Sequence, residues 1–143
     1  MRLTPADEAL LSLLREDARA STAQIARRLG LSRTTVQSRI ERLQRSGVIA
    51  GYTVRVGEDF ERERIRALVM VTVLPKQMPA VVEALKEMRE VRSLQSVSGP
   101  WDLAAVAVVP SVGKMDVLTD RIGALPGVER TTSSLVLSTK FER

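Results

Sequence analysis

The sequence predicts an α+β chain in two parts, and three observations carry that prediction. Up to Gly47 the apolar residues recur only at helical spacing. From about residue 65 onward, branched apolar runs alternate with helical ones. Between these regions lies "GEDFERER" (57–64), a dense charge run with no apolar period. The expected divisions are a winged helix-turn-helix over 1–52, a linker over 53–64 and a ferredoxin-like βαββαβ domain over 65–143.

The first helix is expected within "TPADEALLSLLREDARAS". Pro5 suits a first turn, Asp7 and Glu8 suit the positive end of the helix dipole, and Leu10, Leu13 and Leu14 repeat on one face. Ser21 and Gln24 then have capping-box spacing, Ile25 and Leu29 share a face, and Gly30 can close the helix in a left-handed conformation. Ser32 caps a third helix with Val36, Ile40 and Leu43 on one side and Gly47 as its stop. Two helices joined only by "GLS" describe a helix-turn-helix. "GVIAGYTVRV" alternates like a short strand pair, the wing.

In the second part, "RALVMVTVL" (66–74), "VRSLQSVS" (91–98), "DLAAVAVV" (102–109) and "GVERTTSSLVLSTKFE" (127–142) read as strands. "QMPAVVEALKEM" (77–88) and "SVGKMDVLTDRIGAL" (111–125) read as helices between them. The order is the split βαβ arrangement, with both helices on one face of a four-stranded sheet. Strands 66–74 and 102–109 are apolar on both faces, however, and a large exposed apolar patch is rare in a monomer. The uncovered face therefore predicts a second copy of the chain about a two-fold axis.

Composition narrows the function. The chain has 143 residues, neither Cys nor His, and 3% aromatics, so its core must come from Leu, Val, Ile and Ala. Imidazole general bases, His or Cys metal sites and thiolate chemistry are excluded. "SSL" and "STK" on the last strand show no base beside them, so neither an enzyme nor a cofactor is expected. No run approaches the ~18 apolar residues of a membrane span, and the acids of "MRLTPADEALL" do not suit a signal peptide. A cytoplasmic setting with no membrane partner is the expectation.

The net charge of +5 is concentrated: from Arg19 to Arg45 there are seven arginines and one acid, Glu41. An arginine cluster is the footprint of phosphate contacts. On the third helix the face opposite Val36, Ile40 and Leu43 carries Thr34, Thr35, Ser38 and Arg42, flanked by Ser32, Arg33, Gln37 and Arg39. Short hydroxyls let a helix lie deep in the major groove, while Gln and Arg read base edges or grip phosphate. These eight residues are the candidate contacts to double-stranded DNA, and half-site recognition again favours a homodimer. The plainer alternative is a three-helix bundle with a polar third helix.

Four segments, "LLREDARAS", "IARRLGLSRTTVQSRIERLQRSGVIAGYT", "VSGPWDL" and "LPGVERTTSSLVLSTK", together resemble the Lrp/AsnC (feast/famine) transcriptional regulators across nearly the whole chain. The resemblance implies a nucleoid-associated regulator with a C-terminal RAM domain. Such domains form dimers, often octamers, and take an amino acid or similar small molecule at contacts between dimers. It also implies an effector site at the Gly-x-x-Asp loop: Ser98, Gly99, Pro100, Trp101 and Asp102, with Thr131, Thr132, Ser133 and Ser134 of the last strand as neighbours. Trp101 departs from the tyrosine or smaller residue that the family more often carries. Asp102 can alternatively cap local backbone amides. A nucleoid-shaping protein that wraps DNA without an effector is the competing function.

Overall fold

The computed structural model describes residues 2–142, which divide by their contacts into two compact units, Met1–Arg55 and Val56–Arg143.

The first unit is built from three helices: α1 (Pro5–Glu16), α2 (Thr22–Leu29) and α3 (Arg33–Arg45). Local chemistry sets their ends. Thr4 and Asp7 form a capping box at α1, and Ser21 and Gln24 form another at α2. Gly30 closes α2 at φ +65°, after which the Ser32 hydroxyl accepts the Thr35 amide and starts α3 at once. The helices bury Leu10, Leu14, Ile25, Ala26, Val36 and Leu43 against one another, with Ile40 and Ile49 partly buried at the edge. That burial fixes which face of α3 is left outside.

The expected strand pair after α3 does not form. Residues 46–57 hold no strand, and Tyr52, Val54 and Val56 are exposed. An isolated two-stranded ribbon is marginal in water, and these side chains are left in solvent. One tie runs back to α3, where Gln44 Nε2 donates to the Tyr52 hydroxyl at 3.1 Å. The stretch expected as a linker contains a short helix, α4 (Glu58–Glu61).

The second unit follows the order β1 (Ile65–Val73), α5 (Met78–Lys86), β2 (Val91–Ser96), β3 (Leu103–Val109), α6 (Val112–Gly123) and β4 (Val128–Leu135). The sheet is antiparallel in the order β2-β3-β1-β4, which is the ferredoxin-like arrangement that the alternation predicts. Val69 and Val71 of β1 and Ala105 and Ala107 of β3 are buried beneath Val81 and Leu85 of α5 and Leu118 and Ile122 of α6. The side chains between them, Leu68 and Met70 on β1 and Ala104, Val106 and Val108 on β3, line the opposite face, against which neither α5 nor α6 packs. The last strand is shorter than expected. Its ladder to β1 ends at Leu135, one further bond joins the Val136 amide to the Arg66 carbonyl at 2.8 Å, and Leu137 and Phe141 are exposed.

Candidate functional site

The outward face of α3 is already partly spoken for. Ser32 and Thr35 share a hydroxyl–hydroxyl hydrogen bond of 2.8 Å within the cap. Gln37 donates to Glu41 at 3.3 Å one turn on. Arg33, Thr34 and Ser38 are exposed, and among the described residues their side chains have no hydrogen-bond or ion-pair partner. Arg33 and Arg45 have no ion-pair partner among the described residues, whereas Arg28 is paired with Glu16 at 3.4 Å on the surface.

Arg39 and Arg42 are held differently. Both reach Asp7 in the first turn of α1, which is only 1% exposed. One oxygen of that carboxylate, Oδ2, accepts the Thr4 amide at 3.0 Å and the Thr4 hydroxyl at 2.8 Å. The other, Oδ1, accepts from the Arg42 guanidinium and lies 3.6 Å from Arg39. The two Thr4 hydrogen bonds, backed by the positive charges of Arg42 and Arg39, hold the Asp7 carboxyl below its ordinary value, against the upward push of burial. Thr4, Thr34, Thr35, Ser38, Arg39 and Arg42 line one recess of about 420 Å³. Hydroxyls and guanidinium groups around an open recess can receive phosphate oxygens or base edges. Reading the sequence alone assigns Asp7 only to the helix dipole. Thr4 lies three residues before it, at capping-box spacing, but its arginine partners lie more than thirty positions away, and no local spacing announces them.

The second candidate lies at one end of the sheet, where the chain bends from β2 into β3. Ser98, Gly99 and Pro100 are exposed in the bend. Asp102 ties the bend to β1: its Oδ2 accepts the Val73 amide at 2.8 Å, and its own amide donates to the Val71 carbonyl at 3.0 Å. The amide it receives belongs to a neighbouring strand rather than to its own turn, and Oδ1 takes no hydrogen bond among the described residues. The Trp101 ring lies under the Arg130 guanidinium, 4.6 Å from carbon to ring centre, a cation–π contact. Arg130 was not among the residues singled out from the sequence, because nothing local links it to Trp101.

Register then sorts the polar residues of β4. Val71 is flanked by Leu103 on one side and Thr131 on the other, so Thr131 lies beside the bend. Thr132, Ser133 and Ser134 run away from it along β1, opposite Met70, Val69 and Leu68. Thr131 and Ser133 share the helix-covered face, whereas Thr132 and Ser134 share the open one. The four do not converge on one point.

Comparison with known proteins follows the same division. Residues 3–50 match the winged helix-turn-helix DNA-binding family and residues 66–143 the Lrp/AsnC ligand binding domain. The HTH-type transcriptional regulator LrpA of Mycobacterium tuberculosis is 34% identical over 136 residues, covering 94% of this chain and 90% of that protein. LrpA of Pyrococcus horikoshii is 31% identical over 132 residues, covering 92% and 94%. Among solved structures, the leucine response regulatory protein (LrpA) of M. tuberculosis superposes with a TM-score of 0.82 at 33% identity, over 98% of this chain and 96% of that one. A transcriptional regulator of Neisseria meningitidis, solved in complex with L-Met, has the same fold: its TM-score is 0.90 at 19% identity, over 99% and 94%.

Proposed function

The chain belongs to the Lrp/AsnC family of transcriptional regulators, and from that premise we propose which of its residues do the regulating. The protein is a DNA-binding regulator whose second unit is a ligand-binding domain. In this reading α3 is the recognition helix. Arg33, Thr34 and Ser38 enter the major groove, Arg39 and Arg42 engage the duplex beside them, and Ser32, Thr35 and Gln37 hold the helix in shape while standing at its rim. The observation that carries this is the outward face of α3: hydroxyls short enough for close approach, bordered by arginines, in a stretch with seven arginines and one acid.

The second unit supplies the response. An amino acid at the bend would place its ammonium group against the open oxygen of Asp102 and its side chain against Trp101, with Ser98, Gly99, Pro100 and Thr131 as the remaining wall. The L-Met complex of the Neisseria protein supports this choice of ligand class. A ligand that binds one assembly state better than another shifts DNA affinity by that difference. Two-fold pairing of the open sheet faces, and assembly of those dimers toward octamers, would bring the bends of different copies together. With relatives that are regulators rather than catalysts, we take the chain to be no enzyme. No helix of the described residues is long and apolar enough to cross a membrane, and we place the protein in the cytoplasm on the nucleoid.

Two measurements test this. Selection from a random duplex library should return a preferred sequence, and gel shifts should show it bound far more tightly than bulk DNA at physiological salt. Recovery of no preferred sequence overturns the recognition-helix reading. A thermal-shift screen of the amino acids should reveal a ligand that raises the melting temperature. Calorimetry on Asp102→Asn, which keeps an acceptor for the Val73 amide, should then show at least tenfold weaker binding. Unchanged affinity reduces Asp102 to a cap.

A further inference from the structure

A regulator that must tell its site from bulk DNA has a difficulty with arginines. Each one free to neutralise a phosphate raises affinity for every duplex alike, because the released counterions carry no sequence information. Arg39 and Arg42 lie in the same recess as Thr34 and Ser38, yet both are tied to the single buried carboxylate of the described residues, Asp7. We propose that Asp7 is a specificity-determining residue, withholding Arg39 and Arg42 from indiscriminate phosphate contact so that they engage only a duplex that fits. The inference rests on α3 being the DNA-contacting helix.

The physical argument is one of unequal exchange. Two guanidinium groups and one carboxylate carry a net charge of +1, so the pair contributes less to non-specific attraction than two hydrated arginines would. Taking both arginines away onto phosphates would leave Asp7 ionised, buried and paired only with Thr4, and an uncompensated buried charge is strongly unfavourable. Arg33 carries no such tether among the described residues. The tether thus opposes loose binding, and a complex must supply compensating base contacts to overcome it. Specificity is a ratio of affinities, and weakening the wrong complex raises it as surely as strengthening the right one.

Asp7→Asn is the direct test, because the amide oxygen can still accept the Thr4 backbone N–H and preserve half of the capping box while the charge is gone. On a random-sequence 30-base-pair duplex, its affinity should rise three- to tenfold. The plot of log affinity against log salt should steepen by roughly 0.9 for each arginine set free. On the duplex selected by the wild-type chain, the preference over random DNA should fall at least fivefold, and Asp7→Glu should restore it in part. In an Arg42→Ala background, the effect of Asp7→Asn on that preference should shrink below twofold. A folded Asp7→Asn with unchanged slope, or with weaker binding to random DNA, overturns the proposal and makes the pair a helix fastener. If Asp7→Asn does not fold, Arg42→Ala alone decides. A withheld arginine leaves the random-duplex slope within about 0.3 of wild type, whereas a loss of the full roughly 0.9 overturns the tether. A wild-type chain that binds no duplex at all overturns the DNA reading together with this one. A wild-type chain that binds while Asp7→Asn keeps its slope overturns the tether alone.

Discussion

Asp7 shows how one side chain can tie stability to acidity. Hydrogen bonds from Thr4 and the charges of Arg42 and Arg39 lower its folded pKa below the ordinary 3.8. Its ionised form is therefore favoured by folding. That contribution is fully present above about pH 4 and is lost as pH falls through the lowered folded value. Asp7→Asn should accordingly melt at lower temperature than wild type at pH 7, with the two curves converging as pH falls through that lowered value, as circular dichroism at 222 nm would record. A gap that stays constant down to pH 2 would contradict a charge-based role. At this scale the sequence was a partial guide. The candidate residues were visible as types on a helical face or in a Gly-x-x-Asp bend, but their partners were not. Asp7 with Arg42, and Trp101 with Arg130, are brought together by tertiary packing, and no short-range spacing encodes it.

Element boundaries were legible where capping chemistry sets them. Ser21, Ser32 and Gly30 each act within a few residues of their own position, and the helices begin and end as their spacing predicts. Ser21→Ala should destabilise the first unit by about 1 kcal/mol, read by denaturant titration, since it removes one half of a capping box. Strands are less local. The alternating stretch after α3 and the tail beyond Leu135 both have strand-like sequence, yet among the described residues neither forms a strand, and most of their side chains are exposed. A third lesson comes from Gly127, which precedes β4 at φ +94°. A Cβ there would lie 2.2 Å from the Gln77 Cβ, and its carbonyl accepts the Leu74 amide at 2.8 Å. Gly127→Ala should destabilise the sheet domain by at least about 2 kcal/mol, through strained backbone and direct overlap together. Wild-type stability in the same titration would show that the turn relaxes freely.

At the scale of the molecule, the feature that matters most is what the sheet leaves bare. Leu68, 46% exposed, stands with Met70, Val106 and Val108 on the face away from α5 and α6. The double-sided apolar pattern of β1 and β3 announced this surface in the sequence, because a helix-covered sheet needs only one apolar face. Pairing of two such faces would bury it. Leu68→Asp places a charge at the centre of that contact and should halve the sedimenting mass at micromolar concentration while circular dichroism stays that of a folded chain. An unchanged mass would count against pairing through this face. What the sequence could not convey is direction along β4: Thr131 to Ser134 are consecutive as letters, but the pleat sends them to alternate faces, and only Thr131 stays beside the bend.

The stacking of Trp101 on Arg130 has a practical consequence. Trp101 is the only tryptophan in the chain and Tyr52, in the other unit, the only tyrosine. Excitation at 295 nm thus selects a single indole, seated at the bend proposed to receive the effector. Anything that displaces the guanidinium or dries the ring will shift its emission. The protein carries an unlabelled optical probe at the bend where the proposed effector can be titrated.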